Sequence, residues 1–235
     1  MNIKKVEAGD GLYWLAEGWR LFKLNPGMWI ALILIYFVIA VVLSFIPVLG
    51  GLVLALITPA LTTGLVYAAR ELDQGRDLAV DHLFVGLKDP QKRTPMLTLG
   101  AIYIGVAIVM AVVIFLLGGG TAMMGAMMGG GEAAAGAALA GGATVMVLIA
   151  ILIGILIAMA FVYAGPLVMF QNVPPVESLK GSFSACVQNI VPLIVFGIVL
   201  AILGLIASLP FLLGWLVLGP VACGAIYASY KAILE

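Results

Sequence analysis

Two adjacent methionine pairs, Met123-Met124 and Met127-Met128, form the densest group of potential metal ligands in this chain. Thioether sulfur is soft and suits Cu(I). No Cys or His accompanies the four, and their neighbours are Gly and Ala. A greasy, low-complexity loop lying on an apolar surface accounts for them equally well. They stand as candidate metal ligands without a completed set.

A second group is Thr58, Thr62 and Thr63, gathered around Pro59. Proline has no N–H, so a carbonyl one turn back loses its donor and a nearby hydroxyl can replace it. Pro220 and Cys223 mirror the arrangement near the C-terminus. Read as chemistry, these residues line a weakly polar cavity; read as structure, the hydroxyls patch a bent helix.

Other reactive groups are sparse. The single histidine, His82, stands beside Asp81 with no nucleophile partner and reads as a residue on a solvated face. No phosphate-cradling Gly loop, nucleophile elbow or zinc-binding helix motif is present. Cys186 falls in a charged segment and Cys223 in an apolar one, which argues against a disulfide framework. The expectation is a protein without a catalytic set or cofactor, and not an enzyme.

The elements that carry these residues follow from composition. Of 235 residues 64% are hydrophobic and 9% charged, with a mean hydropathy of +1.25. Soluble domains carry roughly 25% charged residues, so most of this chain must be solvated by lipid. Lipid offers the backbone no hydrogen bonds, and long unbroken apolar runs then select helices over a barrel. The expected fold is all-α and polytopic.

Six spans can be drawn, at Gly27–Ile46, Leu49–Ala69, Pro95–Leu117, Thr144–Val168, Ile190–Leu209 and Phe211–Tyr230. At 1.5 Å per residue, about 20 residues cross the ~30 Å hydrocarbon layer. The uncharged turns at Pro47 and Pro210 are short, so the flanking spans form tight hairpins. A Gly-, Ala- and Met-rich tip, Gly118–Gly142, closes the middle hairpin and reads as a flexible loop.

All 11 Lys and Arg residues fall on one side of these spans, and the other side holds only Glu132. Basic segments stay in the cytoplasm, which places both termini there. Lys+Arg and Asp+Glu each number 11, so no electrostatic case exists for a nucleic-acid partner. The lipid bilayer is the one expected partner; a protein partner is left open, a homo-oligomer included.

Three basic segments carry helical periodicity. One stripe is Leu12, Leu15, Trp19 and Phe22; another is Val80, Leu83, Phe84 and Leu87, with Asp77 as N-cap; the third is Val176, Leu179, Phe183 and Cys186. Short amphipathic helices with aromatics lie in the membrane interface. Each heads a hairpin, giving units of about 10–70, 77–168 and 175–231 within one transmembrane domain, 1–235. Units one and three align: Leu49–Leu54 with Leu213–Leu218, Pro59 with Pro220, Gly64 with Gly224, and Val66-Tyr67-Ala68 with Ile226-Tyr227-Ala228. The middle unit joins through Val162-Tyr163-Ala164. The copies share one orientation, a parallel internal repeat.

Small residues four apart (Ala60, Gly64, Ala68; Ala150, Gly154, Ala158; Gly224, Ala228) let helices approach closely. They predict that spans two, four and six pack centrally with span one facing lipid. Tyr67, Tyr163 and Tyr227 are then expected as anchors at the headgroups.

The segments GLYWLAEGWRLFKLNPGMW, SFIPVLGG, DHLFVGLK, PPVESLKGSFSACVQNIVP and LPFLLGWLVLGPVACGAIYASYK resemble those of an uncharacterised family of six-span proteobacterial inner-membrane proteins. The likeness covers nearly the whole chain apart from Gly118–Gly142. The layout is more distantly similar to the membrane domain of some glycerophosphodiester phosphodiesterases. The resemblance implies a six-span fold in a bacterial inner membrane and brings no activity or site residues. The leading functional expectation is a non-enzymatic protein that handles lipid or amphipathic molecules, or supports the envelope. A scaffold acting through its amphipathic helices and a channel or small-solute transporter are the alternatives.

Overall fold

The computed structural model describes residues 3–127 and 132–235, with side chains outside 115–146. Among the described residues the chain is helical, without strands. The helices are α1 (Asp10–Leu24), α2 (Pro26–Ser44), α3 (Leu49–Asp73), a 3-10 helix Val80–Phe84 running into α4 (Val85–Lys88), α5 (Pro90–Met127), α6 (Glu132–Phe161), α7 (Ala164–Gln171), α8 (Pro175–Gln188), α9 (Ile190–Ser208) and α10 (Trp215–Leu234). Six stretches of helix are long and apolar enough to cross a membrane, at Pro26–Ser44, Leu49–Asp73, Pro90–Ile114, Val147–Gln171, Ile190–Ser208 and Trp215–Leu234.

Local chemistry sets the joints. Asn25 ends α1 and caps α2 by accepting from the Met28 N–H at 3.2 Å, with Pro26 at the first helical position. Asn172, at φ 56°, terminates α7 in the left-handed conformation that asparagine tolerates, and the following prolines launch α8. Between α9 and α10 the chain turns through Phe211 (φ 49°) and Leu212 (φ 66°). That turn delays α10 to Trp215, whereas composition alone placed the span's start at Phe211. Apolar residues at both places give hydropathy no means of marking the boundary.

Two compact units emerge, one of 1–101 with 159–235 and one of 102–158. The second consists of the distal parts of α5 and α6, where Val109, Leu148 and Leu152 among others are exposed and apolar. In the tip, residues up to Met127 and from Glu132 onward are helical, so much of the expected loop is helical. Alanine and methionine are good helix formers, and here they prevail over the intervening glycines.

In the first unit α3 and α10 are the enclosed spans. Their apolar windows are 44% and 56% buried, against 22% or less for the other four. Span four joins this core through its 159–170 end, where Tyr163 to Met169 are buried. The headgroup role expected for the tyrosines is corrected here. Tyr163 is fully buried and hydrogen-bonds Ser229 Oγ at 3.0 Å, and the buried Tyr227 donates to Asp73 Oδ2 at 3.1 Å. Tyr67 packs its ring against Phe170 and His82. Hydroxyls with partners inside the protein have no need of the interface.

The small-residue positions also serve a different neighbour. A Cβ on Gly64 would lie 2.3 Å from the Leu83 carbonyl oxygen, and one on Gly224 would lie 2.9 Å from Gly18 Cα. These glycines receive the short connecting helices rather than other spans. Gly154, by contrast, has nothing within 4 Å of such a Cβ.

Candidate functional site

Helix α1 is the most deeply docked of the connecting helices. Trp14 and Leu21 are fully buried, and Trp14 meets Phe196 of α9 edge to face at 6.0 Å. At its crossing with α10, a Cβ on Gly18 would stand 2.2 Å from the Val221 carbonyl oxygen, so only glycine allows this approach. Gly11 similarly abuts the Pro192 carbonyl of α9. Beside this contact α1 carries Leu12 and Trp19. Together with Val199 and Leu203 of α9, Val217 of α10 and Pro210 in the turn, they line an open apolar groove of about 610 Å³. No charged side chain lines it.

An ionic cluster fastens α1. Asp73, at the end of α3, accepts from Arg20 of α1 at 2.7 Å and from Lys231 of α10 at 2.7 Å, in addition to Tyr227. Carboxylates of Glu17 and Asp73 around the Arg20 guanidinium hold its pKa above the usual arginine value. Nearby, Glu71 is buried beneath an ion pair with Arg76, which raises the Arg76 pKa.

A second joint lies in span four. Helix breaks at 162–163, between α6 and α7. There Ser182 of α8 donates to the Met159 carbonyl at 2.7 Å and accepts from the Tyr163 N–H at 3.0 Å. Cys186 adds a longer Sγ contact to the same carbonyl at 3.4 Å. A hydroxyl has entered the i→i−4 ladder, an established cause of kinks. Pro166, without an N–H, removes the ladder donor for the next turn. Beyond the joint, buried Lys92 donates to the Val168 carbonyl at 3.0 Å and to Asn172 Oδ1, closing the end of α7.

The buried face of α8 therefore consists of Ser178, Ser182, Ala185 and Cys186, while Val176 and Phe183 are exposed. Hydrophobic periodicity pointed to Val176, Leu179, Phe183 and Cys186; it overlooks serines that are buried because they bond backbone. A serine three or four residues from another serine and a cysteine was the available signal. The second connecting helix starts at Val80, and its N-cap position is Ala79, not Asp77. His82 Nδ1 accepts from the Ala79 N–H at 3.4 Å, which fixes the start there.

The threonines near Pro59 each bond within α3. Thr58 donates to the Leu54 carbonyl at 2.7 Å, Thr62 to the Thr58 carbonyl at 2.9 Å and Thr63 to the Pro59 carbonyl at 2.6 Å. None serves the Ala55 carbonyl, which Pro59 leaves without its i+4 donor. Back-bonding to the residue four earlier is the nearest geometry for a helical threonine. Thr63 is buried against Gly165, whereas Thr62 is exposed. Cys223 is partly buried and packs against the core cluster that contains Leu61, Leu65 and Val221. Neither the groove nor a polar hollow of about 530 Å³ beside Gln171, Glu177 and Lys180 is lined by these four residues. Both cysteines are free. Met128 and the side chains of Met123, Met124 and Met127 lie outside the described residues.

Among known proteins, the chain is similar to a protein of Burkholderia thailandensis named a probable inner membrane protein. The two are 29% identical over 201 residues, covering 84% of this chain and 74% of the relative. No protein-family model matches the chain. No solved structure matches it. The likeness to the phosphodiesterase membrane domain has no counterpart in these comparisons.

Proposed function

We propose that this chain is a non-enzymatic, multi-pass protein of a bacterial inner membrane that handles lipid or amphipathic molecules. The observation that carries the reading is the uncharged groove walled by α1, α9 and α10. Six membrane-length apolar helices and the relative's name support the compartment. The basic segments, from Lys4 and Lys5 to Lys231, support cytoplasmic termini.

The architecture in this reading is a three-unit parallel repeat. Each unit is a connecting helix followed by a hairpin; the second and third connecting helices dock on the returning span of the unit before, and the first docks on that of the third. Gly18 meets Val221 and Gly224 on α10, while Gly86 and Leu83 meet Ala60 and Gly64 on α3. In the sequence alignment Pro59 pairs with Pro220 and Gly64 with Gly224, so the two docking sites coincide. In the third case α8 docks at the α6–α7 joint.

The decisive experiment is phospholipid analysis of the purified protein, paired with envelope lipid composition in a deletion strain. Lipid retained at fixed stoichiometry and an altered lipid profile are expected. Bulk lipid only, with an unchanged envelope, overturns the reading. Reporter fusions at both termini test the orientation, which fails if either reports the far side.

A further inference from the structure

We propose that the α1–α9–α10 groove binds one acyl chain of a phospholipid from the leaflet on the Pro210 side. This rests on the lipid-handling reading and names the ligand and its place. Three apolar stripes converge there: Leu12 and Trp19 from α1, Val199 and Leu203 from α9, and Val217 from α10, with Pro210 in the turn at the far end.

The walls are two helices of membrane-crossing length, and their flanks, such as Ile202 and Leu205, are exposed and apolar. The mouth of the groove therefore opens on hydrocarbon, where lipid chains are the abundant solute. Polar groups at the far end are already satisfied. Trp215 Nε1 donates to Ser208 Oγ at 3.0 Å, and Ser208 donates to the Gly204 carbonyl at 2.8 Å. Nothing inside draws in a headgroup, so the ligand is the chain.

The length of the groove fits an acyl chain of one leaflet. From Val199 to Pro210 the groove follows α9 for about 16 Å at 1.5 Å per residue, half of a ~30 Å hydrocarbon layer and so one leaflet. The groove offers about 610 Å³, within the range of small-ligand pockets. Its α1 side is fixed, because Gly18 lets α1 lie directly on α10 and Arg20 ties it to Asp73.

The test uses the full-length protein in nanodiscs with a phospholipid bearing a diazirine at the acyl terminus. Adducts are expected to be enriched several-fold on peptides carrying Trp19, Leu203 and Val217 over those carrying Leu34 and Val38, which face outward on α2. Leu203→Trp and, independently, Val217→Trp should abolish the excess while elution and melting temperature stay unchanged. If one variant fails to fold, the other and the labelling map still decide. Even labelling over all apolar faces, or label unaffected by a folded tryptophan variant, overturns the proposal. So do crosslinks joining two copies through Trp19 or Leu203. Phosphate analysis of the same samples separates the two readings. Lipid at fixed stoichiometry without groove labelling removes the groove and leaves lipid handling standing; absence of both removes both.

Discussion

Ser182 Oγ lies 3.0 Å from the Tyr163 backbone nitrogen, although the two residues belong to different helices. The same hydroxyl donates to Met159, the carbonyl that Tyr163 would otherwise use. One side chain thus substitutes for a hydrogen bond of a membrane-length helix and sets where α6 ends. Buried backbone groups left without partners are costly in lipid, so the joint depends on this residue.

Ser182→Ala should lower stability by about 1–3 kcal/mol, since the buried Tyr163 N–H loses its partner and the Met159 carbonyl keeps only the longer Cys186 contact. Ser182→Thr retains the hydroxyl and should recover part of the loss. Thermal unfolding in detergent measures both; equal melting temperatures for wild type and alanine variant contradict the inserted-hydroxyl account.

Gly18→Ala places a methyl 2.2 Å from the Val221 carbonyl oxygen, whereas Gly197 has nothing within 4 Å. Overpacking against backbone costs about 1–3 kcal/mol. Gly197→Ala should be neutral or stabilising by up to about 1 kcal/mol, as expected for an open helical site. Comparing the two melting temperatures checks the α1–α10 crossing directly.

Asp73→Asn removes the carboxylate shared by Arg20 and Lys231. Asp73 is only 14% exposed at its side chain, between the surface and buried regimes. A loss of about 1–2 kcal/mol is therefore expected. Limited proteolysis should cut near residue 24 faster in the variant, and added salt should narrow the gap by screening the wild-type pairs. Unchanged cleavage kinetics would show that the cluster does not fasten α1.

Burial raises the Cys186 thiol to about 12. Only the thiolate reacts, and at pH 8 that leaves about one thiol in ten thousand ionised. In a Cys223→Ser background, maleimide labelling of the folded protein should be slow and should rise about tenfold per pH unit while the fold persists. Denaturant should restore ordinary rates. Fast labelling at pH 7 in the folded state would place Cys186 outside the α8 interface.

Much of this protein was determined by its sequence alone. Six apolar stretches needed only composition, because the choice of lipid over water is summed residue by residue. The joints at Asn25 and Asn172 are equally local: Asn25 caps the helix that Pro26 begins, and Asn172 takes the left-handed conformation that ends α7. What tertiary structure decided depends on residues distant in the chain. The α6–α7 break needs Ser182, 19 residues from Tyr163. The buried face of α8 follows backbone acceptors on another helix and not its own hydrophobic pattern. Tyr163 and Tyr227 turn inward because Ser229 and Asp73 await them. The groove exists only because glycine contacts hold α1 across α9 and α10. Hydropathy reports the solvent a residue prefers; hydrogen-bond partners and close backbone contacts decide which neighbour replaces that solvent, and those are properties of the packed whole.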